Sequence, residues 1–195
     1  MTYLAFFTSG FAALLYQVVW QRALYALFGI NVESVTVDVT AFMLGLGLGS
    51  MAGGALSKRP TTQALKLFAA VELGIGAFGF VSLPLLHRVG AATLALPAPL
   101  TALVTFLLVI FPTFLMGATL PLLVEDQVQR SHNVGRSVGM LYFVNTLGSA
   151  LASFAAGFVL LAQLGQARTV AVAACLNLAA SVGAIAAHQR RSRAA

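Results

Sequence analysis

Charge is what this sequence has least of: 8% of its 195 residues are charged, against about 25% in an average soluble domain. A chain this poor in charge cannot cover a soluble fold with polar surface, and its 59% hydrophobic content points to an all-α integral membrane protein. Cysteine is nearly missing too. The single Cys175 excludes an intrachain disulfide and a cysteine metal cluster, and its place in an apolar run reads as a small buried residue. His87, His132 and His188 fall in or beside expected loops without metal-ligand spacing, so no metal site is expected. No nucleophile–base pair stands on a recognisable scaffold. The glycine run at 45–54 lies in an apolar helix with no preceding strand, which excludes a phosphate-cradling loop. The residues therefore predict no enzymatic chemistry and no cofactor. Acidic residues number five against eleven Lys and Arg, a net charge of +6. The basic residues punctuate apolar runs, so they read as membrane-orientation signals, and nucleic acid is not expected as a partner.

What is present is apolar length. A crossing needs roughly 20 apolar residues at about 1.5 Å rise each. Six segments meet that requirement: 3–28, 32–56, 63–85, 98–123, 138–164 and 168–187. They predict a six-helix transmembrane domain over 1–188 and a short basic cytoplasmic tail over 189–195. The first run has no basic stretch before it and is too long for a signal-peptide core, so it reads as a retained helix. The breaks are short, which favours antiparallel neighbours in one bundle. With both termini in the cytoplasm of a bacterial inner membrane, Lys58, Arg59, Lys66, Arg130, Arg136, Arg190, Arg191 and Arg193 all fall inside. Arg88 and Arg168 fall outside, and Arg22 lies within the first helix. Pro60 stops the second helix.

Gly45, Gly49 and Gly53 recur every fourth residue on one face of the second segment. Apolar burial does not drive helices together in lipid, whereas close backbone approach does, and small residues permit it. The fifth segment offers a partner surface in Ser149, Ala152 and Ala156, or in Gly148 and Ala152. The alternative is that the glycine face meets a second subunit. The third segment carries Gly76 and Gly79, and the sixth Ala173, Ala180 and Ala184.

Ionisable residues at membrane depth are costly and mark candidate sites. Arg22 and Asp38 share an expected depth of roughly 9 Å from the outer surface, which predicts an ion pair, with Glu33 as the rival partner. Glu72 lies about 13 Å into the third segment, on the face of Gly76 and Gly79, and so points into the bundle. It is expected to be protonated or hydrogen-bonded to neutral partners, drawn from Gln17, Gln21, Tyr16, Asn145 and Thr146. Gln17, Glu72, Asn145 and Thr146 are the candidates for solute binding or coupling. Pro112 should kink the fourth helix, and Pro121 should lie close to its cytoplasmic end.

Five phrases occur together: SGFAALLYQVVWQR (9–22), AFMLGLGLGSMAGG (41–54), VELGIGAFG (71–79), FPTFLMGATLPLL (111–123) and GRSVGMLYFVNTLGSALASFAAGFVL (135–160). In this order they resemble the membrane domain of bacterial fused major-facilitator/spermidine-synthase-like proteins, over about 4–187. The resemblance implies a module like half of a major-facilitator bundle, built from two three-helix repeats, and draws interest to Gln17, Trp20, Arg22, Glu72, Asn145 and Thr146. The synthase domain of the fused members has no counterpart here, so polyamine synthesis is not carried over. Lys58 and Thr61 replace the aspartate and second glycine of the facilitator loop pattern, which departs from its charge-linked gating. Two functions are expected as alternatives. One is a half-transporter that assembles as a dimer and passes a small cationic solute. The other is a non-transporting subunit that accessorises or anchors a larger membrane complex or a separate synthase-like partner. The expected partners are the lipid bilayer and a second copy or other membrane subunits, met through the glycine face of the second helix.

Overall fold

Inside a bilayer every backbone N–H and C=O must bond within the protein, and a helix does this segment by segment. The apolar runs accordingly become helices in the computed structural model, which describes residues 2–28, 32–58, 63–93 and 95–193. Arg59, Pro60 and Thr61 lie outside the described residues, as does the side chain of Glu33, the rival partner of Arg22. The helices are α1 (Thr2–Phe28), α2 (Val32–Ser57), α3 (Ala64–Thr93), α4 (Ala98–Ser131), α5 (Val134–Ala155) and α6 (Leu161–Ser192), with a π-helical turn at Ala156–Leu160.

Among the described residues five helical runs are long and apolar enough to cross a membrane, the last of them spanning Val134–Ser192. That last run is broken at Gly165, whose φ of 70° and ψ of 179° suit a residue without a Cβ. Both of its ends reach the same end of α4. Ser137 Oγ lies 2.8 Å from Ser131 Oγ, and Arg191 Nη1 donates to Asp126 Oδ1 at 2.7 Å. The run therefore doubles back, and the break falls where the sequence places one, at 165–167.

Several helices outrun their expected ends. α3 passes through Pro84 to Thr93, and α4 passes through Pro112 and Pro121 to Ser131. Proline inside a packed membrane helix is tolerated because neighbours and nearby hydroxyls take up the freed carbonyls. Pro121 thus lies well inside α4 rather than at its end. The expected basic tail begins within α6, whose last turn carries Arg190 and Arg191.

The tightest packing joins helices that are not consecutive. α2 packs most extensively on α4, and α5 on α1, while α1 against α2 and α4 against α5 touch far less. Contacts advance together along each pair: Gly45 faces Thr113, Gly49 faces Phe114 and Gly53 faces Ala118, so α2 and α4 run parallel. Helices joined by a short break, such as α1 and α2, are thus not the pairs that pack most closely. Backbone fit outweighs loop length here.

The glycine face meets α4, not α5. A Cβ on Gly49 would overlap the Phe114 carbonyl, one on Gly53 would stand 2.7 Å from the Ala118 carbonyl oxygen, and one on Gly117 would overlap the Leu46 backbone. Small residues on both helices bring the two backbones together. Gly117 and Ala118 lie between the prolines of α4, where the sequence shows a kink signal more plainly than a packing face. The face is thereby filled within the chain, which corrects the expectation that a second subunit docks on it. The small residues of α5 instead meet α1, where a Cβ on Gly148 would overlap the Phe7 carbonyl. α3 and α6 pack on each other, and they close the bundle against α4 and α1 respectively.

The aromatic centre of the core is Trp20, stacked on Tyr16 with ring centroids 5.0 Å apart and set against Phe42 and Phe78. Its indole Nε1 donates to Ser82 Oγ at 3.0 Å. Cys175 is exposed on α6, which corrects its reading as a buried residue.

Candidate functional site

Where the two tight pairs face each other, α1/α5 against α2/α4, the thin contact between them leaves a cavity of about 330 Å³. Its wall is mostly apolar on the α2/α4 side, where Phe42, Leu46 and Met116 stand with Ser50 and Thr119, and more polar on the α1/α5 side. Ser9, Ala13 and Gln17 recur every fourth residue of α1 and so share one face. Asn145 and Ser149 do the same on α5. Two of these side chains also fasten the pair: Asn145 Nδ2 donates to the Phe6 carbonyl at 3.2 Å, and Ser149 Oγ to the Gly10 carbonyl at 3.0 Å. Interhelical bonds of this kind are worth about 0.6 kcal/mol each in a membrane.

Behind the α1 wall lies Glu72, 0% exposed. Ser9 Oγ donates to its Oε1 at 2.6 Å, and Asn177 Nδ2 donates to its Oε2 at 2.7 Å. Each carboxyl oxygen thus has its own donor, one from α1 and one from α6. Ser9 both lines the cavity and holds Glu72, so the carboxyl stands one hydrogen bond behind the cavity wall. The α3–α6 contact that carries Glu72 is close: Ser181 Oγ donates to the Ala69 carbonyl at 2.7 Å, and a Cβ on Gly76 would press on the Ala174 carbonyl at 3.1 Å.

Of the candidates read from the sequence, Gln17 and Asn145 come together in the cavity wall, and Glu72 sits behind it. Thr146 does not join them. It is exposed, because one residue along a helix turns the side chain by about 100° away from the face of Asn145. Glu72 does have neutral partners, but they are Ser9 and Asn177, not Gln17, Gln21, Tyr16, Asn145 or Thr146. Tyr16 is buried with its hydroxyl unbonded, and a Cβ on Gly79 would overlap it. The signal for Asn177 was there: it lies four residues before Ser181 and four after Ala173, on the alanine face of α6.

The Arg22–Asp38 ion pair is not formed. Asp38 is 0% exposed and among the described residues neither of its oxygens has a hydrogen-bond partner, whereas Arg22 is exposed. Equal depth does not fix direction around the helix axis. The buried face of α1 carries Tyr16, Trp20, Ala23 and Leu24, and Arg22 lies off that face. The ionic contacts the sequence reading missed are at the other end of the bundle. There Asp126 pairs with Arg130 and Arg191, Arg191 Nη2 reaches Thr2 Oγ1 at 3.3 Å, and Gln127 Nε2 donates to the Tyr3 hydroxyl at 2.9 Å. This cluster ties the start of α1 to the ends of α4 and α6. Among the described residues no three His, Cys, Asp or Glu side chains are placed to hold a metal ion.

The chain matches no protein-family model. No solved structure matches it. It is similar to proteins named polyamine aminopropyltransferase. Polyamine aminopropyltransferase 2 of Streptomyces coelicolor is 34% identical over 146 residues, which is 72% of this chain and 25% of that protein. Polyamine aminopropyltransferase of Mycobacterium tuberculosis is 29% identical over 179 residues, 86% of this chain and 32% of that protein. The chain thus spans between a quarter and a third of the length of these relatives. The matches relate it to spermidine-synthase-like proteins. They also correct the expectation that the chain is not an enzyme, because the proteins it matches are named as enzymes.

Proposed function

We propose that this chain is the membrane module of a polyamine aminopropyltransferase-type protein, and that its cavity takes a small polyamine-type cation. The observation that carries this reading is the cavity wall itself: Gln17, Asn145 and Ser149 offer amide and hydroxyl acceptors, and Ser9 joins that wall to the buried Glu72. Acceptors near a carboxyl group suit a protonated amine, which brings only donors to its site. The names of the relatives supply the solute class.

The proposal includes the finer architecture: six crossings, arranged as two three-helix repeats like half of a facilitator bundle. Its support is the pairing pattern. Exchanging α1–α3 with α4–α6 maps the α2 contact with α4 onto that of α5 with α1, and the α3 contact with α4 onto that of α6 with α1. The proposed setting is a bacterial inner membrane with both termini in the cytoplasm, supported by the basic residues gathered at one end of the bundle. A second copy meeting Tyr142, which lines the cavity and is exposed, and the exposed Met43 next to the cavity-lining Phe42, would enclose the solute path.

The test is equilibrium binding of radiolabelled spermidine to the chain in lipid nanodiscs. Saturable binding that weakens at least tenfold in Gln17→Leu and Asn145→Leu is expected. Absence of saturable binding, or binding indifferent to both substitutions, would overturn the cavity assignment. The anchoring role has its own support in the match of an apolar helical body to about a third of an enzyme. It would be left standing alone if spermidine does not bind while aminopropyltransferase activity co-sediments with membranes only when this chain is present.

A further inference from the structure

A second cavity, of about 660 Å³, opens between α3 and α6 at the end of the bundle that holds the Asp126 cluster. It is open to the surroundings of the bundle and belongs to neither the polar cavity nor the Glu72 cluster. Its lining changes character with depth. Lys66 in the first turn of α3 and Arg193 just past α6 stand at the mouth, with His188 and Gln189 beside them. Leu73 and Ile185 stand deeper, two helical turns or roughly 10 Å further toward the middle of the bundle.

The mouth is positive and uncompensated. Among the described residues neither Lys66 nor Arg193 is in a salt bridge, and no acidic side chain lines the cavity. The nearest acids along the chain are already engaged: Glu72 by Ser9 and Asn177, Asp126 by Arg130 and Arg191, and Glu125 by Gln129. A cationic rim above an apolar floor about 10 Å deep has the dimensions of a phosphate headgroup above the start of an acyl chain. A soluble phosphate would use only the rim, and a neutral lipid only the floor.

We propose that this groove between α3 and α6 is a binding site for an anionic phospholipid, with the phosphate held by Lys66 and Arg193 and an acyl chain laid along Leu73 and Ile185. The site is independent of the solute cavity, so it stands or falls separately from the function proposed above.

The test is native mass spectrometry of the chain in neutral detergent, titrated with palmitoyl-oleoyl phosphatidylglycerol or with the matching phosphatidylcholine. The unmodified chain should bind phosphatidylglycerol in preference to phosphatidylcholine. Lys66→Gln should weaken phosphatidylglycerol binding about fivefold, and Lys66→Gln with Arg193→Gln roughly 25-fold, with phosphatidylcholine unaffected. Lys66→Arg should retain binding, and Arg88→Gln on the far part of α3 should leave it unchanged. Because both rim residues are exposed, these variants should elute like the unmodified chain on gel filtration. Equal affinity for the two lipids, indifference to the double substitution, or displacement of the lipid by inorganic phosphate at equal concentration would each overturn the proposal.

Discussion

Glu72 and Asp38 are both fully buried carboxylic acids within apolar helices, yet their surroundings are opposite. Glu72 has a donor for each oxygen, supplied by α1 and α6. Among the described residues Asp38 has none for either. The first is the centre of a satisfied polar network, and the second is a polar group placed where the structure gives it no hydrogen bond. A buried polar group that is bonded is roughly neutral to modestly favourable, and one left unbonded costs about 1–3 kcal/mol. The two acids should therefore respond to removal with opposite signs. The difference shows that burial and membrane depth, which single out both residues, do not say which is integrated into the fold.

The largest expected effect is at the satisfied acid. Glu72→Leu removes the acceptors of two buried donors, Ser9 and Asn177, and should destabilise the chain by roughly 3 kcal/mol in micelles. Denaturant or thermal unfolding of the detergent-solubilised protein measures it. Glu72→Gln keeps one acceptor and the shape, so it should cost about 1 kcal/mol. A Glu72→Leu variant as stable as the unmodified chain would mean that the Ser9–Glu72–Asn177 network carries no stability.

The next effect separates the two arms of that network. Ser9→Ala removes one donor and should cost about 1 kcal/mol, and the same substitution made in Glu72→Leu should cost almost nothing further. This cycle also bears on the cavity. If Ser9 is the link between wall and carboxyl, Ser9→Ala should weaken spermidine binding together with stability, whereas Asn177→Ala should affect stability more than binding. Equal loss of binding in both would mean that the α1 arm has no special access to the cavity.

At the unsatisfied acid the sign should reverse. Asp38→Leu replaces an unbonded carboxyl by an apolar group of similar branching, and the chain should gain about 1 kcal/mol. A loss instead would mean that Asp38 has a partner in the assembled protein, and the Asp38 region would then join Glu72 as a functional centre.

How much of this was legible in the sequence follows from what sequence periodicity encodes. The all-helical class, the apolar length of the helices and the break at 165 are one-dimensional properties, and apolar run length was enough to read them. Glu72 was read as pointing inward because Gly76 and Gly79 share its face, and it does. Which helix faces which was not legible. Gly45, Gly49 and Gly53 announce close approach, but the approach needs a second small face. α4 supplies one with Gly117 and Ala118, which the eye passes over beside two prolines. Ser9 carries no such signal, and although Asn177 lies on the alanine face of α6, only the contact of α1, α3 and α6 makes the two a set around Glu72.

The smallest effect is the sharpest check on Asp38. Depth matching alone pairs it with Arg22, and an ion pair removed from water would lose about 3–5 kcal/mol when one partner is deleted. In the structure Arg22 is exposed on α1 and Asp38 is enclosed, with no bond between them. Arg22→Gln should therefore change stability by less than about 0.5 kcal/mol. A cycle of Arg22→Gln with Asp38→Asn should show coupling no larger than that, since residues without a shared partner contribute additively. Coupling of roughly 1 kcal/mol or more would restore the ion pair. It would also make the two acids alike, each held by its own donors, and the contrast between a satisfied and an unsatisfied carboxyl would be lost.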